Sequence, residues 1–202
     1  MPRALGQVDL RKSEAMLDAA AEVFAERGFG APMDEIARRA GVSKQTIYNR
    51  YGSKEELLRA LVERRRDRVT ALLDLPGAEE QLEETLTRYV GTLLRLHLAK
   101  DTCNLMRLAI TAAAEQPEIA AIVYEAGAKA GRARMAQFLA RETMRGRLKV
   151  DNPLEAAEFL AGMAAGHVQL RTFLGVSQSM TEEEVDARAR ECARRFIRAY
   201  EA

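Results

Sequence analysis

The sequence predicts an all-α protein of about nine helices, with a three-helix unit containing a helix-turn-helix at the N-terminus and a longer helical bundle after it. Three observations carry this. Ala, Leu, Glu and Arg dominate the 202 residues, aromatics are few and Trp is absent, a composition that favours helix. Apolar residues recur at spacings of three and four, with no alternation of the strand kind. Glycine and proline then cut the chain into helix-length segments, at Gly28, Gly41, Gly52, Pro76-Gly77, Gly146 and Pro153.

The first helix is expected over 12–27, after a short mobile arm, with Met16, Ala20, Val23 and Phe24 on one side and Glu14, Asp18 and Glu22 on the other. Ile36, Ala37 and Ala40 then mark one face of a short helix that Gly41 closes, because glycine accepts the positive φ of a helix C′ position. Val42 is an apolar plug, and Ser43 caps a helix over 44–51. Ser53 with Glu56 reads as a capping box opening a helix over 53–73, whose buried side is Leu57, Leu58, Leu61, Val62, Val69 and Leu72. Arg64, Arg65, Arg66 and Arg68 wrap around this helix, and solvation or pairing with Glu63 and Asp67 is expected of them.

Bundle-length helices follow over 79–100, 101–115 and 117–145. Gly127 and Gly131 thin the last of these for a close neighbour. Pro153 suits the first turn of a helix over 154–174, the most apolar of all. Thr181 with Glu184 forms a second capping box, opening a final helix over 182–201.

Charge separates the two parts. The net charge is +1, so no global field draws the protein to nucleic acid or membrane. Residues 1–70, however, hold 14 Lys and Arg against 11 Asp and Glu. From Ile36 to Lys54 there are Arg38, Arg39, Lys44, Arg50 and Lys54 and no acid, the kind of window a phosphate backbone attracts. Cys103 and Cys192 lack CxxC spacing, and no Glu-x-x-His pair accompanies His97 or His167, so neither a disulfide framework nor a metal or other cofactor is suggested. No nucleophile–base pair or glycine-rich phosphate loop is present, which argues against an enzyme. The N-terminus has no signal-peptide core, and no run reaches the roughly 18–20 apolar residues of a membrane span, so a cytoplasmic protein is expected.

Residues 12–60 resemble the DNA-binding domain of the TetR/AcrR family of bacterial transcriptional regulators. The resemblance rests on Phe24-Ala25-Glu26-Arg27-Gly28-Phe29, Ile36-Ala37, Ala40-Gly41-Val42-Ser43, Thr46-Ile47-Tyr48 and Tyr51-Gly52-Ser53-Lys54-Glu55-Glu56-Leu57. Segments such as Leu108-Ala109-Ile110, Pro117-Glu118-Ile119-Ala120, Gly146-Arg147-Leu148 and Phe159-Leu160-Ala161-Gly162 resemble the AefR-like subgroup. Two features depart from the family pattern. Gly30-Ala31-Pro32-Met33 leaves the second helix without its usual N-cap hydroxyl, for which Asp34 is a substitute, and Arg50-Tyr51 replaces the usual His-Phe.

The resemblance implies a DNA-binding domain over 1–52 and a ligand-binding and dimerisation domain over 53–202. In a major groove, Gln45 pairs with adenine, Thr46 meets a thymine methyl or a phosphate, and Asn49 has either option. Ser43 opens this helix. Lys44, Tyr48 and Lys54 resemble the family's phosphate contacts, and Arg50 is either a phosphate clamp or a guanine reader. The helices near 154–174 and 182–201 would build a homodimer, and the other bundle helices an apolar effector pocket. Its candidate residues are Tyr89, Leu93, His97, Met106, Ile110, Tyr124, Met163 and His167. The implied function is a ligand-responsive repressor on a palindromic operator, released by a small hydrophobic effector. The rival is a helical module that has lost operator binding.

Overall fold

The computed structural model describes residues 5–77, 81–176 and 180–202. Its helices are α1 (Leu5–Arg27), α2 (Met33–Ala40), α3 (Lys44–Tyr51), α4 (Lys54–Thr70), α5 (Leu82–Leu98), α6 (Lys100–Ala112), α7 (Pro117–Val123), α8 (Ala130–Met144), α9 (Pro153–Leu174) and α10 (Glu182–Ala199). A π-helical stretch, Tyr124–Lys129, joins α7 to α8 without a break, so the described residues form nine continuous helices, as the sequence predicts. A 3-10 turn, Ala71–Asp74, extends α4. Helix α1 begins at Leu5, seven residues before the predicted start, and runs through Gly6. The predicted start of the fifth helix at 79 lies outside the described residues.

Two compact units result. The first contains the chain up to Arg64 together with Asn104–Tyr124; the second contains Arg65–Cys103 and Glu125–Ala202. In the first, Met16, Ala20, Val23 and Phe24 of α1 are buried, as are Ile36, Ile47, Leu57, Leu58 and Leu61, and the Phe24 and Phe29 rings lie 5.5 Å apart. Each such fully buried side chain contributes about 1.5–3 kcal/mol. Arg64 donates to Glu14 at 2.7 Å and pairs with Asp18 at 2.8 Å on α1.

The second unit is built on α5, α8, α9 and α10, with Leu86, Val90, Leu94, Met135, Phe138, Leu139, Leu160, Ala164, Ala193 and Phe196 at its centre. At Gly91 a Cβ would lie 3.0 Å from Arg95 Nη1, so the glycine leaves room for the Arg95 guanidinium. Arg95 secures the crossing of α5 with α10 by donating to Glu182 at 2.8 Å and Asp186 at 2.7 Å. Thr181 and Glu184 form both bonds of the predicted capping box.

The arginine cluster of α4 departs from expectation. Arg66 does pair with Asp67 at 2.7 Å, but it also donates to the Ala126 carbonyl at 3.1 Å, and its stem lies over Gly131. Arg65 is buried and bound to Asp101 at 2.5 Å. Consecutive side chains on a helix diverge by about 100°, so each arginine meets a different element.

Helix α9 is kinked. Gly166 has φ 44° and ψ −144°, a conformation open essentially to glycine alone, which interrupts the regular helix there. Arg188 of α10 meets the kink, donating Nη2 to the Met163 carbonyl at 3.0 Å and Nε to that of Ala164 at 2.7 Å. One isolated antiparallel bridge, Leu148 with Glu201, is accompanied by a bond from the Lys149 N–H to the Tyr200 carbonyl at 2.8 Å.

Candidate nucleic-acid interface

The turn between α2 and α3 is built from backbone. Gly41 takes φ 67°, its N–H reaches the Arg38 carbonyl, and the Val42 N–H reaches the Ala37 carbonyl at 3.0 Å, which together make a Schellman stop. Ser43 then begins α3 as predicted: its Oγ accepts the Thr46 N–H at 3.1 Å and bonds the Thr46 hydroxyl at 2.8 Å. Helix α2 enters on Pro32 with no side-chain cap, and Asp34 does not supply one. The Asp34 carboxylate instead accepts from Lys44 Nζ at 3.1 Å. Asp34 and Glu35 still favour the helix N-terminus through its dipole.

Ile47 is fully buried and sets the rotation of α3. Gln45 and Asn49, two residues either side of it, therefore lie on the face turned away from the core, and both are exposed. Lys44, Tyr48 and Arg50 are exposed beside them, Ser43 is exposed at the cap, and Thr46 is half-buried. Gln45 Nε2 donates to Asn49 Oδ1 at 2.6 Å. The half-buried Tyr51 phenol is pushed above its ordinary pKa by burial, against the opposing hydrogen bond and charge of Arg50.

Lys54 is placed differently from the other candidates. Its ammonium donates to the carbonyls of Phe29 at 2.9 Å and Ala31 at 2.7 Å, and lies 5.0 Å from the Phe29 ring centre. Two of its three donors thus hold the α1–α2 loop. Arg39 is likewise engaged, donating to Glu26 at 2.8 Å and pairing with Glu22 at 3.5 Å and with the buried Glu35 at 3.6 Å. Glu35 also meets Arg27 at 2.7 Å. The hydrogen bond to Arg39 holds the Glu26 carboxyl below its usual range and raises the guanidinium in turn. This Glu35-centred network lacks a motif; the 35–39 spacing, one helical turn, is its only trace in the sequence.

The effector candidates divide between the two units. Tyr89, Leu93 and His97 form one stripe of α5 in the second unit, at i, i+4 and i+8. Tyr89 is buried, which pushes its phenol up to about 12, and Leu93 and Met163 pack on the core around it. His97 is half-buried, burial lowers its pKa, and its buried Nδ1 has no hydrogen-bond partner. His167 is exposed on α9 just past the kink. Met106 is half-buried in the first unit, where Ile110 and Tyr124 are 60% and 50% exposed and therefore enclose nothing within it. Ala109 and Val123, the residues before them, take the buried positions. Among the described residues, no three His, Cys, Asp or Glu side chains converge as a metal site, and no helix is long and apolar enough to cross a membrane.

The family described as AefR-like transcriptional repressor, C-terminal domain, matches residues 84–202, and that of bacterial regulatory proteins, tetR family, matches residues 16–61. The chain belongs to the TetR family. Its fold is similar to that of a TetR-family transcriptional regulator from Mesorhizobium loti, with a TM-score of 0.76 at 26% identity over 96% of this chain and 98% of that one. The flavonoid-responsive regulator FrrA is 30% identical, with a TM-score of 0.70 over 95% of this chain and 97% of FrrA. The HTH-type transcriptional activator FasR of Mycolicibacterium smegmatis is 45% identical over 64 residues, which are 31% of this chain and 29% of FasR. The chain is thus a TetR-family transcriptional regulator, although its match spans less than a third of FasR's length.

Proposed function

We propose that this TetR-family regulator is a cytoplasmic repressor that binds a palindromic operator as a homodimer and releases it on binding a small hydrophobic effector. One observation carries the DNA side: Gln45 and Asn49 face away from the buried Ile47, with Lys44, Tyr48 and Arg50 exposed beside them and no carboxylate on α3. Gln45 and Asn49 stand where base edges would be read. Ser43, Lys44, Thr46 and Tyr48 surround them as phosphate contacts, Arg50 serves as phosphate clamp or guanine reader, and Lys54 adds charge at the edge.

The division of labour follows the family, with reading in residues 1–52 and sensing and pairing in 53–202. Leu154, Phe159, Leu170 and Leu174 are each more than half exposed along α9, an apolar face that a second copy would cover. Two reading helices on a two-fold axis reach half-sites one helical turn apart. Tyr89, Leu93 and His97 on α5, with Met163, support an effector of apolar body and few polar groups, and the responsiveness of FrrA to flavonoids fits that class. To release DNA, the effector must favour the non-binding state by about 2–4 kcal/mol. Helix α4, whose residues fall in both units, is the path for that change.

The test is binding-site selection from a random library, followed by anisotropy titration with the DNA flanking its own gene. A selected palindrome bound by a dimer, and released by an apolar effector, is the expected result. Failure to select any sequence at low salt would sink the operator reading.

A further inference from the structure

We infer that Asn49 is a positioning residue that fixes the side-chain amide of Gln45 in the orientation that reads adenine. The inference rests on the DNA-binding role proposed above and adds the means of its specificity. A glutamine amide can present its oxygen and nitrogen in either order by turning half-way round, and only one order suits adenine, with oxygen toward N6–H and N–H toward N7. In α3, Gln45 Nε2 donates to Asn49 Oδ1 at 2.6 Å. A primary amide carries two N–H bonds. One goes to Asn49, and Oε1 with the other N–H remains as the pair that adenine requires. Turning the Gln45 amide alone would set Oε1 against Oδ1, two acceptors with no proton between them, so the order reverses only if both amides turn together, and an acceptor on the DNA at Asn49 Nδ2 would hold Oδ1 toward Gln45.

The surroundings hold this arrangement in place. Gln45 lies in the first turn of α3, whose backbone Ser43 caps through the Thr46 N–H. The buried Ile47 prevents the helix from rotating, and the one-turn spacing of 45 and 49 keeps the two amides in reach. Asp34, which meets the start of α3, is occupied by Lys44. Asn49 retains both Nδ2 hydrogens for an acceptor on the DNA.

The test is binding-site selection from a randomised operator library with the full-length wild type, Gln45→Ala, Asn49→Ala, Asn49→Asp and Gln45→Ala/Asn49→Ala, after thermal melts show that each is folded. Gln45→Ala should abolish the adenine preference at one position of each half-site. Asn49→Ala should lower that same preference about 3- to 10-fold. Asn49→Asp should restore it, since a carboxylate still accepts the Gln45 N–H, although its charge weakens binding to all sequences alike. At that position the double variant should equal Gln45→Ala. An unchanged preference in Asn49→Ala, or separate positions altered independently by the two single variants, would overturn the inference. A wild type that selects a site insensitive to Gln45→Ala would remove Gln45 as a reader and the pairing with it. A wild type that selects no site overturns the DNA-binding role itself.

Discussion

Arg188 donates its Nε to the carbonyl oxygen of Ala164 at 2.7 Å, and so ties α10 to α9 at the Gly166 kink. Removing the guanidinium takes the donor from the Ala164 carbonyl and leaves that of Met163 with the Cys192 thiol at 3.5 Å. Arg188→Ala should therefore cost about 1–3 kcal/mol. Gly166→Ala should cost about 1–3 kcal/mol through its positive φ, and more because the new Cβ would lie 2.9 Å from Arg188 Nη2. The double variant relieves that contact but not the φ, so its loss should be smaller than the sum. Urea unfolding at one fixed protomer concentration measures all three. Additive losses would show that residue 166 and the guanidinium do not meet.

Lys44 and Asp34 are both about half exposed or more, so their 3.1 Å pair is worth only about 0–1 kcal/mol and gives way readily to a phosphate. Asp34→Asn should tighten DNA binding a few-fold on every sequence and leave the selected site unchanged. Lys44→Ala should weaken binding on every sequence and reduce the slope of log affinity against log salt by about 0.9. Anisotropy titrations between 50 and 200 mM salt, on the order of the range where such slopes are read, provide the check.

Lys54 bonds two carbonyls of the α1–α2 loop, so Lys54→Met, which keeps the apolar stem, should lower stability by about 1.5–3 kcal/mol. A thermal midpoint equal to that of the wild type would mean the loop holds without it.

His97 is pushed below its ordinary value of 6.5 by burial, so the unfolded chain takes up the proton more readily than the folded one. Its contribution is therefore complete above pH 6.5 and is lost as pH falls through and below that value. His97→Gln should flatten the rise of melting temperature with pH from about 5 to 6.5. A pH dependence identical to the wild type's would assign the effect to other groups.

Glu142 is wholly buried on α8. Arg147 Nη2 donates to its Oε1 at 3.0 Å, Arg147 Nε lies 2.7 Å from Oε2 off the hydrogen-bond axis, and Arg145 donates at 3.2 Å. Arg147→Ala would leave a buried charge short of its main partner and should cost about 3–5 kcal/mol. Glu142→Gln, which keeps the shape, should cost less. Calorimetry of the two variants tests the order.

Where helices begin and end was legible because residues close in sequence decide it. Ser43, Thr181 with Glu184, Pro153 and Gly41 act within four residues of the ends they mark. The buried Ile36 and Ile47 follow from spacing alone. What escaped depends on distant partners. Gly166 breaks α9 with Arg188 standing by, 22 residues further on, and an intrahelical glycine by itself announces no kink. Arg64 and Arg65 bond to residues 36 to 50 positions away. Periodicity aligned Tyr89, Leu93 and His97 on α5, but it does not say whether a stripe faces a cavity or a core. It also could not foresee that Ile110 and Tyr124 are exposed.

The Lys54 clamp bears on how contacts are mapped by genetics. Alleles of Lys44 remove charge from an exposed helix and should fail to hold their operator at every growth temperature. Alleles of Lys54 loosen the loop between α1 and α2 and should behave as temperature-sensitive, nearly normal in the cold and defective in the warm. The two classes look alike on a single plate; a shift in incubator temperature tells the hand that touches DNA from the wrist that steadies it.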